Sequence, residues 1–335
     1  MSMLDRKDRI DWLDVLKGIL IVFVVLSHSY PPDIYRYFFT PFFLTMFFWA
    51  SGYTFSMKKS GKEFLLNKCR SLLLPLLVLG SMRIILAQIL EGGSWKERII
   101  GLLVQINCQY DELWFVACLF TASICFYGLL KLFGCIKWCK NELFLVGVSG
   151  IFLSIAMVFM CIWKMHIPWQ LELAFMMCFY MALGYFYRRH EEKIEACWGN
   201  KWIVILLGII YCIGVFGFPN SVDIHKEQFE YPIVFLVLSW ICILPMIEIS
   251  KLIARFEWKR IFVFWGQNTL FYYAFGGTVR VILYKILEII GVQNSYLVPI
   301  LCTVLTMFAL ILPAWIVRTY FPWMVGVKSV GKNRQ

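Results

Sequence analysis

The chain has 335 residues, of which 61% are hydrophobic and only 16% are charged, with a formal net charge of +11 at pH 7. The apolar share is far above that of an ordinary soluble domain, which excludes a soluble globular protein. A net positive charge is also typical of nucleic-acid-binding proteins, but the basic residues here lie in short loops between apolar runs, which argues against that class.

Ten apolar runs follow one another along the chain. A membrane-spanning helix needs about 20 mostly apolar residues. The sequence predicts such helices near residues 12–30, 38–57, 71–90, 112–134, 144–163, 170–187, 202–218, 232–250, 262–284 and 296–318. The run "RIIGLLVQI" (98–106) is too short to span and indicates an interfacial or re-entrant piece. We expect a single domain over 1–335, with a head of about 1–11 and a basic tail of about 319–335.

The lysines and arginines alternate from loop to loop. With a cytoplasmic N terminus, 23 of the 32 basic residues fall in cytoplasmic segments, six in outer loops and three inside helices. Because positive charge collects on the cytoplasmic side of membrane proteins, this bias indicates orientation. The predicted fold class is therefore an all-α integral membrane protein with ten transmembrane helices and both termini cytoplasmic. The first run has no cleavage site after it and should remain as an anchor.

The 12 cysteines are scattered, mostly through apolar runs, and form no CxxC pair. Cys135 and Cys139 are four positions apart, but no histidine lies near them in the sequence. This pattern favours ordinary packing, so we expect neither a disulfide framework nor a bound metal.

Several ionisable residues interrupt the apolar runs, where a charge is costly unless it faces a partner or a wet cavity. They are Asp14, Lys17, His28, Arg83, Glu112, Glu172, Glu248 and Arg280. Glu248 and Arg280 lie near predicted helix ends, and we expect them to extend toward the membrane surface. Arg83 lies deeper, which leaves an internal ion pair and a role in a site both open.

The first helix carries three of these residues in "RIDWLDVLKGILIVFVVLSH" (9–28). At about 100° per residue, Lys17 and His28 return to within about 20° of the same face, roughly 16 Å apart along the axis. Asp14 lies within about 40° of that stripe and is placed to pair with Lys17. We expect this face to line a cavity. His28 there can act as a general base or a transient nucleophile, or simply make an interhelical hydrogen bond.

That opening stretch resembles the start of the acyltransferase 3 family of membrane O-acyltransferases, in particular a short branch similar to fucose 4-O-acetylases. The family pattern is Arg or Lys, ten residues, then His, which corresponds here to Lys17 and His28. Further similar elements follow in order: "FFWASGY" (47–53), "KCRSLLLP" (68–75), "ELWFVACLF" (112–120) and "WGQNTLFYY" (265–273). The late element lacks the family's histidine near Gly276, which leaves His28 as the only histidine that we expect inside the bundle.

The resemblance implies transfer of an acyl group, most often acetyl, from cytoplasmic acetyl-CoA to a hydroxyl of an extracytoplasmic glycan or polyprenyl-linked sugar. Such O-acetylation of a surface polysaccharide in the cell envelope implies a bacterial inner or plasma membrane, with lipids as surroundings. We predict His28, Lys17 and Asp14 as catalytic residues, and Lys17, Arg70, Trp114 and Phe115 as donor-binding residues. We predict a substrate pocket of Ser51, Gly52, Arg83, Glu112 and Asn268.

Two other classes stay open from the sequence. A transporter of a small solute or glycan precursor also has about ten helices and buried charges, although no internal repeat with paired broken helices is visible. A regulatory or sensing membrane protein is the other. The acceptor sugar, the acyl group and the choice between a monomer and a homodimer are also open.

Overall fold

The computed structural model describes residues 10–106, 113–135, 142–164 and 166–327. Within these ranges the chain forms sixteen α-helices and one hairpin of two short antiparallel strands. The helices are α1 Asp11–Ser27, α2 Asp33–Phe39, α3 Thr45–Tyr53, α4 Gly61–Lys68, α5 Leu74–Glu91, α6 Trp95–Val104, α7 Trp114–Cys135, α8 Glu142–Val158, α9 Leu171–Trp198, α10 Lys201–Gly217, α11 Pro232–Ile241, α12 Ile243–Ile253, α13 Lys259–Gln267, α14 Thr269–Ile289, α15 Leu297–Ala309 and α16 Ile311–Tyr320. The strands are β1 Val222–Asp223 and β2 Gln228–Phe229. The predicted all-α class is confirmed.

Six helical segments of the described chain are long and apolar enough to cross a membrane. They are Gly61–Ile89, Trp114–Cys135, Glu142–Trp163, Pro232–Ile253, Thr269–Ile289 and Leu297–Tyr320. The pair Pro168–Trp198 and Lys201–Gly217, bent by 95°, brings the number to seven if it forms one span. Helix α1, with 17 residues, lies at the lower end of the spanning length. The chain is thus a multi-pass membrane protein by composition and length, while ten spans and cytoplasmic termini stay predictions.

The chain divides into two compact units. Unit 1 comprises the described residues of Met1–Phe47, Glu192–Asn220 and Ile233–Leu310. Unit 2 comprises those of Phe48–Glu191, Ser221–Pro232 and Ile311–Gln335. The expected single domain over the whole chain stays a prediction.

Helix α1 is the centre of unit 1, where it packs against α12, α13, α14 and α15. Its closest neighbour is α13, and two glycines explain how the backbones approach. A Cβ atom on Gly18 would overlap the carbonyl group of Phe262, and one on Gly266 would overlap the carbonyl group of Asp14. Small residues allow this kind of contact between helices in lipid, where close packing replaces the hydrophobic effect as the source of association. The α1–α13 contact therefore fixes the position of Asp14 and of the groups that bind to it.

In unit 2, the end of α3 packs against α9 in the same manner. A Cβ on Gly52 would overlap the Met181 backbone, and a Cβ on Gly184 would overlap the Trp49 carbonyl group. The Trp49 ring, which is 1% exposed, stacks on Tyr53 with ring centroids 5.4 Å apart. Stacked aromatic side chains and touching backbones make this a tightly packed helix pair.

Candidate active site

A small polar network lies in the first half of α1, which is the half predicted to be nearer the cytoplasm. Asp14 is only 6% exposed. Its Oδ1 atom lies 3.6 Å from the Nζ atom of Lys17, so the predicted ion pair is present. Its Oδ2 atom accepts a hydrogen bond from Nε2 of Gln267 at 3.2 Å. The carboxylate is therefore shared between its own helix and the end of α13, which orients Lys17 from a nearly buried position.

Asn268 lies at the break between α13 and α14, inside the "WGQNTLFYY" element. It is 3% exposed, and its Nδ2 atom donates to the carbonyl oxygen of Phe264 at 2.7 Å. This bond satisfies a backbone acceptor at the end of α13 that no intrahelical donor reaches. The structure thus explains Asn268 as a helix-ending residue, and its place in a substrate pocket stays a prediction.

His28 lies at the opposite end of α1, directly after the last helical residue, and is exposed. The expectation that it lies inside the bundle is wrong. The physical reason is Pro31 and Pro32, because the residue before a proline avoids the helical conformation and proline cannot continue a helix. Beside His28, the fully buried Ser29 has its Oγ atom 3.3 Å from Oγ1 of Thr303 on α15, which fixes the end of the helix.

Arg280 lies in the middle of α14, and the expectation that it extends toward the surface is also wrong. It is 8% exposed, and its guanidinium carbon lies 4.7 Å from the ring centroid of Tyr30. Among the described residues its Nε and Nη1 atoms have no hydrogen-bond partner. Tyr30 also contacts Tyr284 edge to face, at 6.2 Å between centroids. Aromatic rings that cover the guanidinium group hold it away from the surface despite the cost of burial.

A cavity of 420 Å³ opens next to this arginine and tyrosine pair. Its lining comes from Tyr30, from the end of α14 and from the start of α15: Tyr284, Glu288, Val292, Gln293, Asn294, Ser295, Val298 and Pro299. Polar side chains are frequent in this lining, and His28 lies two residues before Tyr30 in the chain. The exposed histidine and this cavity therefore occupy the same end of unit 1.

The predicted donor-binding arginine, Arg70, belongs to unit 2. It is exposed and lies in a π-helical turn, Cys69–Leu73, between α4 and α5. A π-helical turn inserts one residue into the helical ladder and is frequent at functional sites. An exposed guanidinium group on such a turn can donate two parallel hydrogen bonds to phosphate oxygens.

Trp114 and Phe115 lie at the other end of unit 2. Trp114 begins α7 and stacks on His225 of the hairpin, with ring centroids 5.0 Å apart. Helix α4, just before Arg70, contacts α7 through stacking of Phe64 on Tyr127. The thirteen residues from Trp114 to Tyr127 span roughly 20 Å of helix. Trp114 therefore lies far from Arg70 along α7, and its role in donor binding stays a prediction.

Three of the predicted pocket residues have a place in unit 2, without a contact that identifies a substrate. Gly52 is accounted for by the close approach of α9, and Ser51 next to it is half-buried. Arg83 is half-buried midway along α5. Glu112 lies outside the described residues. The donor and pocket roles of these residues stay predictions.

Sequence reasoning did not select Gln267 or Tyr30. Gln267 is visible in the "WGQNTLFYY" element, but nothing in the sequence indicates that it reaches Asp14, 253 positions away. Tyr30 precedes two prolines, which marks a turn without indicating that its ring covers a buried arginine. Both residues depend on which helices pack together.

The comparison with protein families decides between the classes left open. A family model for an acyltransferase domain, that of the acyltransferase 3 family, matches residues 10–318. The chain belongs to the acyltransferase 3 family. The match covers all of the α1 network, the Arg70 turn and the α13–α14 break. No curated protein and no solved structure shows a significant match to the chain.

Membership of the acyltransferase 3 family makes the chain a membrane acyltransferase. The family identifies the class of reaction, but it does not identify the acyl donor or the acceptor. Apart from Arg9, the elements quoted above lie inside the matched range, including Lys17 and His28. The likeness to fucose 4-O-acetylases stays a resemblance.

Proposed function

We propose that this acyltransferase moves an acetyl or other short acyl group from acyl-CoA, at the cytoplasmic face, to a hydroxyl group of a glycan or polyprenyl-linked sugar on the opposite side. The observation that carries this proposal is the arrangement of α1. Its first half holds the Asp14–Lys17 ion pair and its far end presents an exposed His28. With the predicted cytoplasmic N terminus, this one helix carries a cation on the donor side and a proton acceptor on the acceptor side.

The chemistry requires removal of a proton from the acceptor hydroxyl as its oxygen attacks the thioester carbonyl. A neutral imidazole at His28 takes that proton, the new C–O bond forms, and the C–S bond breaks to release CoA. In the alternative, the His28 ring attacks the thioester first, CoA leaves, and the acyl group then passes from the ring to the sugar oxygen. Both versions use the same residue and the same two substrates.

On the donor side, we assign the phosphates of CoA to Arg70, and we assign to Lys17 a separate role in use of the donor. The exposed guanidinium group on the π-helical turn supports the first assignment. On the acceptor side, the cavity beside Tyr30 offers space for a sugar. Arg280 does not line this cavity, but its guanidinium group contacts Tyr30, which does, and its positive charge favours an anionic acceptor such as a polyprenyl phosphate.

The direct test uses protein purified in detergent, radiolabelled acetyl-CoA and a panel of sugar acceptors, including polyprenyl-phosphate sugars. We expect acceptor-dependent release of CoA, which should fall at least a hundredfold in His28→Ala. The matched control is His190→Ala, which removes a histidine that lies 3.5 Å from Glu142 in unit 2. It should keep activity close to that of the unmodified protein.

The same assay addresses the other functions and the two mechanisms. Absence of CoA release with every acceptor would contradict the proposed reaction and favour a transporter. Activity retained in His28→Ala would refute the role of His28. Quenching after incubation with labelled donor and no acceptor should leave label on the protein only if an acyl-imidazole intermediate forms.

A further inference from the structure

Three side chains meet in unit 2, and none of them is among the catalytic, donor-binding or pocket residues predicted above. His166 precedes the short turn Pro168–Gln170, Glu172 is the second residue of α9, and Glu227 lies in the turn between β1 and β2. One possible ligand atom of each residue lies within 4.8 Å of those of the other two. The sequence did not predict this cluster, because Glu227 lies far from His166 and Glu172 in the chain and metal binding was considered only for the cysteines.

The cluster is unusual in its burial and charge. Glu172 is 1% exposed and Glu227 is 6% exposed, while the Nδ1 atom of His166 lies 3.4 Å from Oε2 of Glu227. The Oε2 atom of Glu172 accepts a hydrogen bond from the backbone N–H of Ile167 at 3.1 Å. Its Oε1 atom has no hydrogen-bond partner among the described residues. A buried acceptor without a hydrogen-bond partner lowers the stability of a protein by about 1–3 kcal/mol.

Two carboxylates so close together repel one another strongly in a buried position. A protonated imidazole supplies at most one positive charge for two negative ones. The neighbouring Lys226 does not supply the other, since its Nζ atom lies 3.8 Å from Asp223 on the hairpin. Within the described part of the chain, a shared proton or a bound cation would balance the cluster.

The surrounding backbone holds the three residues in place. The carbonyl oxygen of Trp169 accepts a hydrogen bond from the hydroxyl of Thr121 on α7 at 2.9 Å. Trp169 and Glu227 both have left-handed backbone conformations, with φ of 62° and 55°, which side-chain-bearing residues rarely adopt. The hairpin is further anchored by the stacking of His225 on Trp114. Little rearrangement is needed for the three side chains to act together.

We propose that His166, Glu172 and Glu227 bind a divalent metal ion, with zinc as the expected ion. Zinc is bound by imidazole nitrogen and by glutamate oxygen, commonly with three protein ligands and water in the remaining position. Magnesium and calcium prefer oxygen ligands alone and are the weaker candidates. The ion would neutralise the carboxylates and join the 166–172 segment to the hairpin. This proposal departs from the sequence-based expectation that the chain binds no metal.

The test measures metal in the full-length protein, purified in detergent with an affinity tag that contains no histidine run. After incubation with zinc chloride and removal of the excess, elemental analysis should find about one zinc ion per chain. The variants Glu172→Gln, Glu227→Gln and His166→Gln should each lose at least nine-tenths of it. The matched control is Glu230→Gln, on the same hairpin, whose Oε2 atom accepts a hydrogen bond from the backbone N–H of Ser221. It should retain the zinc.

A second measurement covers variants that fold poorly. In the unmodified protein, zinc should raise the midpoint temperature of unfolding and a chelator should lower it, whereas Glu172→Gln should respond to neither. Less than a tenth of a zinc ion per chain in the unmodified protein would overturn the proposal, as would equal zinc in Glu172→Gln. A chelator without effect, together with a higher midpoint in Glu172→Gln, would instead show a shared proton. Neither readout depends on acyl transfer.

Discussion

At the level of single residues, Asp14, Lys17 and His28 could be selected from the sequence alone. An ionisable residue inside an apolar run can be recognised without knowing which residue it pairs with. The spacing of Asp14 and Lys17 on one helix also sufficed to predict their ion pair, which the structure confirms. The surroundings of Arg280 were not predictable in this way. Its burial depends on Tyr30, which lies far away in the chain and reaches it only after folding.

The Asp14–Lys17 pair leads to the first prediction. Asp14→Asn leaves the Lys17 ammonium group half-buried without its carboxylate. This change should lower the free energy of unfolding by more than the roughly 1 kcal/mol lost with an exposed ion pair and less than the roughly 3 kcal/mol lost with a buried one. If Lys17 serves the donor, Lys17→Ala should raise KM for acetyl-CoA at least tenfold, and Lys17→Arg should raise it less. Thermal unfolding and steady-state kinetics measure the two effects separately.

The double variant Asp14→Asn with Lys17→Met provides the control. It removes both charges at once, so stability should return toward that of the unmodified protein while KM for the donor stays high. Near-normal kinetics in this double variant would show that the pair only stabilises the helix and has no part in donor binding.

Arg280 leads to the second prediction. Methionine has a similar volume and needs no hydrogen bonds. Arg280→Met should therefore raise the midpoint of thermal unfolding, because it removes the Nε and Nη1 atoms, which have no hydrogen-bond partner among the described residues. The same change should lower transfer to an anionic acceptor at least tenfold, since the positive charge is lost. Arg280→Lys should retain part of the transfer. A drop in stability with unchanged transfer would assign the arginine to structure alone.

At the scale of helices, the predicted apolar runs coincide with helices, but many runs are broken. The run 262–284 becomes α13 and α14 with a break at Asn268, and the run 38–57 contains the last two residues of α2 and all of α3. Hydropathy does not report such breaks, because the side chains remain apolar on both sides. Only the packing of α13 on α1 shows why a break at that point is useful, since it turns Gln267 toward Asp14.

The α1–α13 contact leads to the third prediction. Gly266→Ala places a methyl group against the Asp14 carbonyl and should destabilise the protein by about 1–3 kcal/mol, with reduced activity because the Asp14–Gln267 bond shifts. The matched control is Gly277→Ala on α14, which has open space around its Cβ position. It should be neutral or stabilise by up to about 1 kcal/mol, because alanine favours the helix. Equal thermal midpoints in the two variants would contradict the close contact.

At the scale of the whole molecule, the orientation in the membrane rests on the distribution of basic residues. Loops rich in lysine and arginine alternate with loops that contain few of them. This alternation predicts which loops lie on the cytoplasmic side of the membrane and which lie on the outer side. Six to seven described segments meet the length and composition of a span, and the remaining predicted spans fall on shorter or broken helices. Broken helices at membrane depth are tolerated where other helices cover them or a wet cavity is present.

The topology leads to the fourth prediction. Truncated fusions to alkaline phosphatase, which is active only outside the cytoplasm, should be active after Gly93 and inactive after Gly199. Fusions to a fluorescent protein that matures in the cytoplasm should give the reverse result, and such a fusion at the C terminus should fluoresce. The opposite pattern at either site would show that the number of spans before it differs by one from the predicted number.

The sequence by itself determined the class of protein, its family and the helix that carries Lys17 and His28. It did so because long apolar runs are stable only in lipid, and because residues on one helix have a known angular spacing. The tertiary structure alone decided that His28 is exposed, that Arg280 is buried and that His166, Glu172 and Glu227 meet. These features join segments far apart in the chain, and their positions follow from where helices end and which backbones touch.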